Sequence, residues 1–128
     1  MIVGIGIDII DIRRIEKTIN KYGDRFIKKC FLQTEIKKSE NRRNTIQSYA
    51  KRYAAKEACA KALGTGIARG VYWKDIEVSN NNLGKPILTL HNKAAKILNK
   101  ISYKNTRIEI SLSDEKNYAI SNVIIFND

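Results

Sequence analysis

The sequence predicts an α+β domain in which a mainly antiparallel sheet packs against one long central helix. Three observations support this fold class: an alternating apolar segment at the N-terminus, a long helical segment without glycine or proline, and a second half in which strands return as hairpins around one more helix. Hairpins pair strands antiparallel, and helices and strands that occur in separate runs are typical of α+β domains. At 128 residues, we expect one domain that spans residues 1–128.

The long central helix is predicted over Thr45–Leu63. Ala, Lys, Glu and Leu dominate this segment, and all four are strong helix formers. At about 100° per residue, Glu57 and Lys61 are neighbours on one face among mostly small residues. A ligand site and an ordinary solvated ion pair both explain this pair of charges. Arg52 and Lys56 are expected on a different, basic face of the helix.

Residues 2–10 alternate as a strand does. One predicted face is apolar and carries Val3, Ile5, Ile7 and Ile9. The opposite face carries Gly4, Gly6 and Asp8. Glycine in a strand marks a close approach of backbone or ligand, so Asp8 projects from a face that the glycines leave open. The alternative is that Asp8 caps the helix that follows.

If the long helix packs on the glycine face, Asp8 and Glu57 converge. Two adjacent carboxylates repel unless a proton or a cation lies between them. Mg²⁺ accepts hard oxygen ligands, needs few of them from the protein, and also binds substrate phosphates. Lys61, one turn from Glu57, would face the same phosphates. The helix ends at Gly64–Gly66, where backbone could approach phosphate although the helix dipole disfavours anions at a C-terminus.

The remaining elements follow from apolar spacing and turn residues. A first helix over residues 11–22 has an apolar stripe of Ile12, Ile15 and Ile19 and a basic outer face of Arg13, Arg14, Lys17 and Lys21. Further predicted elements are short helices over about 24–30 and 34–38, a polar loop over 40–44, a hairpin of 75–79 with 86–90, a helix over 93–101, and a hairpin of 107–113 with 118–126.

The formal net charge of +11 indicates an acidic partner such as nucleic acid, an anionic membrane, an acidic protein or a phosphorylated substrate. A compositional bias toward Lys, Ile and Asn explains the charge equally well. A small basic nucleic-acid-binding domain is the competing function, but it leaves Asp8 and Glu57 unexplained and lacks an aromatic RNA-binding strand signature. A purely structural trimeric module is a third alternative.

The apolar segments and the two cysteines indicate where in the cell the protein acts. No run of about 18 apolar residues occurs, so no membrane span is expected. The N-terminus lacks a basic leader and is interpreted as a strand rather than a signal peptide. Cys30 and Cys59 have no metal-binding or disulfide spacing and are interpreted as reduced thiols of a cytoplasmic protein.

Four further features of the sequence are the segments GIGIDIIDIRRI at 4–15, RYAAKEACAKALGTGI at 52–67, LGKP at 83–86 and SLSDEKNYA at 111–119. Together they resemble the holo-acyl-carrier-protein synthases, which are short, single-domain phosphopantetheinyl transferases. The first two segments are highly specific in combination. The resemblance covers nearly the whole chain, and it implies a 4′-phosphopantetheinyl transferase-like fold and a homotrimer with active sites between subunits.

The resemblance also implies roles for individual residues. Asp8 and Glu57 match magnesium ligands, and Lys61 matches an active-site lysine, so these three are the expected catalytic residues. The residues expected near coenzyme A are Arg52, Lys61, Gly64, Thr65, Gly66, Gly84, Lys85 and Pro86. Arg14 matches a basic contact to the acidic carrier protein, and we expect it to lie outside the metal pair. Arg13 and Lys17 face outward on the same helix and are predicted to dock the carrier protein together with Arg14.

The implied reaction transfers 4′-phosphopantetheine from coenzyme A to a serine of apo-acyl carrier protein and releases adenosine 3′,5′-bisphosphate, for fatty acid biosynthesis. A water on the cation, Glu57 or Glu115 are all candidates for the base. Many relatives have His where this chain has Glu109, so no role of that histidine is carried over. His91 is interpreted as a structural residue, and Tyr72 and Trp73 as packing or interface residues. Arg42 and Arg43 either bind the 3′-phosphate of coenzyme A or belong to a solvated loop.

Overall fold

The computed structural model describes residues 1–102 and 104–128, and within them the elements follow the predicted order. The helices are α1 Ile12–Tyr22, α2 Asp24–Cys30, α3 Gln33–Glu40, α4 Thr45–Leu63 and α5 Asn92–Ile101. The strands are β1 Ile2–Asp11, β2 Ile76–Asn80, β3 Pro86–Leu90, β4 Thr106–Glu115 and β5 Tyr118–Asn127. A 3₁₀ turn over Trp73–Asp75 precedes β2.

The prediction of an α+β domain with antiparallel strands is confirmed. The longer strands form a sheet in the order β1-β5-β4, whereas the β2–β3 hairpin forms a two-stranded sheet of its own. Every strand pair is antiparallel. Most predicted boundaries agree with the structure within one residue, although α3 is longer than the predicted helix over 34–38.

Helix α4 packs directly on the glycine face of β1. A side chain at Gly4 would collide with the carbonyl oxygen of Ala62, and one at Gly6 with the carbonyl oxygen of Ala58. Glycine at these two positions therefore brings the backbone of the strand against the backbone of the helix. This contact confirms the predicted convergence of the helix with the glycine face.

The opposite face of β1 is exposed. Ile5, Ile7 and Ile9 are 64%, 57% and 63% exposed, and Ile9 pairs with the partly exposed Ile120 of β5. The predicted place of Val3 on this face is wrong, because the strand register shifts between Ile2 and Gly4 and Val3 packs against the core instead. An uninterrupted row of exposed isoleucines is typical of a surface that another protein covers.

The expected basic face of α4 is wrong, because Arg52 and Lys56 are both buried. Lys56 is fully buried and donates to Oε1 of Glu35 at 2.7 Å, inside the core between α3 and α4. Burial lowers the pKa of the Lys56 ammonium, and the charge of Glu35 opposes that shift. Among the described residues, no helix is both long enough and apolar enough to cross a bilayer.

Candidate active site

The two acidic side chains that the sequence places close together both line one cavity. Asp8 of β1 and Glu57 of α4 face a space of about 290 Å³, which Arg14, Thr18 and Tyr53 also line. The glycine contacts between β1 and α4 bring the two carboxylates together. The cavity opens beside the basic helix α1, from which Arg14 projects.

Lys61 connects the same helix and strand. Its Nζ lies 3.1 Å from Oδ1 of Asp8 and 3.0 Å from the backbone carbonyl oxygen of Ile7. The Asp8 side chain is 16% exposed and the Lys61 side chain 52% exposed. Helical spacing alone favoured a pair between Lys61 and Glu57, but the ammonium instead pairs with the carboxylate of the strand.

Glu57 accepts a hydrogen bond from a residue that the sequence reading did not assign to the site. The indole Nε1 of Trp73 donates to Oε1 of Glu57 at 3.1 Å. Tyr53 lies beside this pair, and burial first, then the negative charge of Glu57, raises the pKa of its hydroxyl to about 12. Tyr53 is therefore protonated at neutral pH and can serve the cavity only as a hydrogen-bonding group.

Asp8 does not cap helix α1, which was the alternative to a ligand role; Asp11 caps it. Asp11 precedes α1 and its Oδ1 accepts from the backbone N–H of Arg13 at 3.0 Å. The Arg13 side chain also binds both oxygens of Asp11, at 2.8 Å and 2.7 Å. These bonds hold the pKa of Asp11 below its ordinary value, raise that of Arg13, and pair the Arg13 guanidinium with a carboxylate.

Arg14 does not lie where we expected it. It was expected outside the metal pair, yet it lines the cavity of Asp8 and Glu57. Lys17 is exposed on the next turn of α1 and is outside the residues that line this cavity. Of the three predicted docking residues, Arg13 pairs with Asp11 and Arg14 lines the cavity, so Lys17 is the one whose charge can be tested apart from both.

Arg52 lies in a second cavity of about 120 Å³, which Arg42, Ser48, Lys51 and Asn80 also line. Nη1 of Arg52 donates to Oγ of Ser48 at 2.6 Å, while its buried Nε has no partner among the described residues. Burial, and next the charge of Arg42, lowers the pKa of the Arg52 guanidinium. Lys51 pairs with Asp114 at 3.4 Å in the lining of this cavity, so Arg42 and Arg52 are the positive groups that suit an anion there.

The turn after α4 uses its backbone amides within the protein. Gly64 and Gly66 adopt φ angles of 86° and 64°, which favour glycine. The amide of Gly64 donates to the carbonyl of Lys61, and those of Thr65 and Gly66 donate to the carbonyl of Ala60. The Thr65 hydroxyl donates to the carbonyl of Gly66 at 2.7 Å, so contacts from this turn to phosphate would require these groups to change partners.

The β2–β3 hairpin holds the other predicted coenzyme A residues. Gly84 has a φ angle of 87° in the turn, and Pro86 begins β3. Lys85 Nζ lies 2.8 Å from Oε2 of Glu109, an exposed pair. The hairpin meets the second cavity through Asn80, and none of its residues lines the cavity of Asp8.

The donors at the first cavity fit Mg²⁺. Asp8 and Glu57 offer hard carboxylate oxygens, and Mg²⁺ commonly takes one or two carboxylates while water and substrate phosphates complete its shell. Within residues 1–102 and 104–128, no cluster of three or more His, Cys, Asp or Glu side chains is found. A pair of carboxylates without sulfur or imidazole therefore suits magnesium better than zinc.

Comparisons with known proteins identify the family of the chain. Residues 4–123 match the sequence model of the 4′-phosphopantetheinyl transferase superfamily. The chain belongs to this superfamily. It is 52% identical over 127 residues to the holo-[acyl-carrier-protein] synthase of Brucella ovis, an alignment that covers 98% of this chain and 95% of the relative.

Solved structures of phosphopantetheinyl transferases share the fold. The holo-[acyl-carrier-protein] synthase of Neisseria meningitidis superposes with a TM-score of 0.87 at 32% identity, over 99% of this chain and all of that one. A holo-(acyl-carrier-protein) synthase from Bacillus anthracis in complex with coenzyme A (3′,5′-ADP) gives a TM-score of 0.82 at 35% identity, over 100% and 99% of the two chains.

The sequence did not predict several contacts in and around the site. Trp73 and Glu35 lie far from Glu57 in sequence, and no spacing rule connects them. Lys56 did carry a signal, because a lysine on the packed side of an alanine-rich helix has to find a buried partner. Glu115, a candidate base, ends β4 and does not line the cavity of Asp8.

Proposed function

We propose that this protein transfers the 4′-phosphopantetheine group of coenzyme A to a serine of an apo-acyl carrier protein, for fatty acid biosynthesis. Its family, and its similarity to holo-acyl-carrier-protein synthases over nearly the full length, support this assignment. The observation that carries it is the convergence of Asp8 and Glu57 on one cavity beside Lys61. The whole chain, residues 1–128, serves as one catalytic domain.

The reaction forms a bond between the serine oxygen and the β-phosphorus and breaks the bond to the bridging oxygen, which leaves with adenosine 3′,5′-bisphosphate. The serine proton passes to a base at the cavity. Lys61 donates to the leaving phosphate, where negative charge increases in the transition state. Asp8 and Glu57 hold Mg²⁺, which supplies neutralisation of the pyrophosphate charge.

The second cavity suits the 3′-phosphate of coenzyme A. Arg52 and Arg42 line this cavity and supply positive charge to it. Since Arg52 and Glu57 are five residues apart on α4, they project about 140° apart around the helix. The two cavities of one chain therefore open on different sides.

Two cavities on different sides of one chain are explained if each active site is formed by two copies of the chain. We propose a homotrimer in which the Asp8 cavity of one copy faces the Arg52 cavity of its neighbour, with the exposed isoleucines of β1 at the contact. Three side chains more than half exposed in one row favour burial against another copy. We place the protein in the cytoplasm, since Cys30 and Cys59 are buried free thiols.

Isothermal titration calorimetry with coenzyme A, with and without Mg²⁺, tests the binding part of this proposal. We expect coenzyme A to bind more tightly when Mg²⁺ is present, and Asp8→Asn to remove that difference. Equal affinity with and without Mg²⁺ in the wild type would contradict the magnesium site.

A further inference from the structure

The side chain of Trp73 donates one hydrogen bond to a predicted metal ligand. Its Nε1 donates to Oε1 of Glu57 at 3.1 Å, both side chains are half-buried, and Lys29 Nζ lies 5.7 Å from the centre of the indole ring. Trp73 does not bond Oε2 of Glu57, and the Tyr53 hydroxyl is the other polar group beside this carboxylate. The indole also stacks on Tyr53, with ring centroids 6.3 Å apart at 27°, which restricts how it can rotate.

The backbone of Trp73 is fixed by the buried ion pair of the core. Lys56 donates to the carbonyl oxygen of Trp73 at 3.0 Å, to that of Ile76 at 2.7 Å and to Oε1 of Glu35 at 2.7 Å. Glu35 in turn accepts from the amides of Leu32 and Val78 at 2.8 Å each. A fully satisfied buried pair holds its partners in one arrangement.

Lys56 and Glu57 are consecutive residues that contact Trp73 from two sides. Lys56 holds its main chain, and Glu57 accepts from its indole. The core pair of Glu35 and Lys56 therefore fixes the 3₁₀ turn from which the indole reaches the carboxylate.

We infer that Trp73 is a positioning residue, which holds one oxygen of Glu57 so that the other oxygen faces the cavity and binds the cation. This inference rests on the proposed magnesium site. Hydrogen-bond donors behind metal ligands fix the orientation of those ligands, and their loss commonly weakens metal binding by about 10–100-fold. Trp73 acts through Glu57 and does not contact the substrate.

The wild-type protein offers a direct readout, because Trp73 is its only tryptophan. Mg²⁺ is titrated into the protein with coenzyme A present, while calorimetry and indole emission are followed. Mg²⁺ is diamagnetic, so an emission change reports a changed indole environment. We expect a saturable change whose midpoint equals the calorimetric midpoint. Calorimetric binding with constant emission would contradict the inference, and this result requires no variant.

Trp73→Phe removes the donor and keeps an aromatic ring, and Tyr72→Phe is the control at an exposed neighbour. We expect Trp73→Phe to raise the Mg²⁺ concentration for half-maximal activity and the calorimetric dissociation constant about tenfold. High Mg²⁺ should restore kcat, which damage to the fold would not allow. Tyr72→Phe should change neither quantity.

The outcomes separate this inference from the proposed function. Mg²⁺ binding that Glu57→Gln removes but Trp73→Phe leaves unchanged would overturn the role of Trp73 and keep the magnesium site. No Mg²⁺ binding by the wild type with coenzyme A would overturn both. Thermal unfolding of each variant checks its fold, and the emission result decides the inference if Trp73→Phe does not fold.

Discussion

The ammonium of Lys61 on α4 lies 3.1 Å from Oδ1 of Asp8 on β1, so one predicted catalytic residue pairs with one predicted metal ligand. Without substrate, the ammonium lies where a metal cation would be attracted. A cation that binds Asp8 therefore competes with Lys61 or repels it toward the substrate phosphates. This arrangement couples the position of the lysine to the occupancy of the metal site.

Lys61→Met should have opposite effects on metal binding and on turnover. Without coenzyme A, Mg²⁺ should bind up to about fivefold more tightly, since an exposed pair contributes at most about 1 kcal/mol. The value of kcat should fall about 100-fold or more, because a donor to the leaving group acts mainly in the transition state. Calorimetry and steady-state kinetics measure the two effects.

Lys96→Met, on the exposed face of α5, is the control for this variant and should alter neither quantity. A Lys61→Met protein with unchanged kcat but with a higher KM for coenzyme A would assign Lys61 to substrate binding alone.

Glu57→Gln should abolish transfer and leave the fold nearly unchanged. Glutamine keeps the shape and can still accept from Trp73, but it lacks the charge that holds a hard cation. Activity is measured across a range of Mg²⁺ concentrations beside a thermal unfolding curve. Glu16→Gln on the exposed side of α1 is the control, and near-normal activity of Glu57→Gln at low Mg²⁺ would remove Glu57 from the metal site.

Lys17→Glu should raise KM for the carrier protein by roughly tenfold, which corresponds to about 1.4 kcal/mol for reversing one interfacial charge. KM for coenzyme A should remain unchanged, because Lys17 is outside the residues that line the Asp8 cavity. Added salt should weaken the wild type toward the variant, as expected for screened charges. Steady-state kinetics at two ionic strengths give these values.

Arg14→Glu should affect both substrates, because Arg14 lines the cavity itself. Lys100→Glu on α5 is the control for Lys17→Glu, because it changes the net charge by the same amount at an exposed position on another helix. An equal rise in carrier KM for Lys17→Glu and Lys100→Glu would show that net charge, rather than helix α1, attracts the carrier.

Ile7→Glu should convert the proposed trimer to monomers. It places a charge in the middle of the exposed isoleucine row, where burial against another copy would be unfavourable. Analytical ultracentrifugation gives the mass, with Thr89→Glu on β3 as an exposed control. A wild type that sediments as a monomer, or an Ile7→Glu variant that remains a trimer, would contradict the proposed contact.

The sequence predicted those parts of the structure that depend on local pattern. Alternation and glycine placement predicted the face of β1 that meets α4, and the absence of helix breakers predicted the bounds of α4. The convergence of Asp8 and Glu57 followed from these two predictions. The resemblance to holo-acyl-carrier-protein synthases then supplied roles that spacing could not.

The rest depends on contacts between residues distant in sequence. Lys61 pairs with Asp8 rather than Glu57 because the strand lies within reach of its side chain, which a helical wheel cannot represent. The hydrogen bond from Trp73 to Glu57 forms because the 3₁₀ turn packs on α4. Lys56 is buried against Glu35 because α3 packs on α4. Such contacts exist only after the elements pack.

Mass spectrometry of an apo-acyl carrier protein, incubated with this protein, coenzyme A and Mg²⁺, tests the central claim most directly. We expect the carrier to gain the mass of one phosphopantetheine group on a serine, and we expect EDTA or Glu57→Gln to prevent the gain. Carrier proteins from several sources that gain no mass, beside a known transferase that modifies each of them, would contradict the assignment.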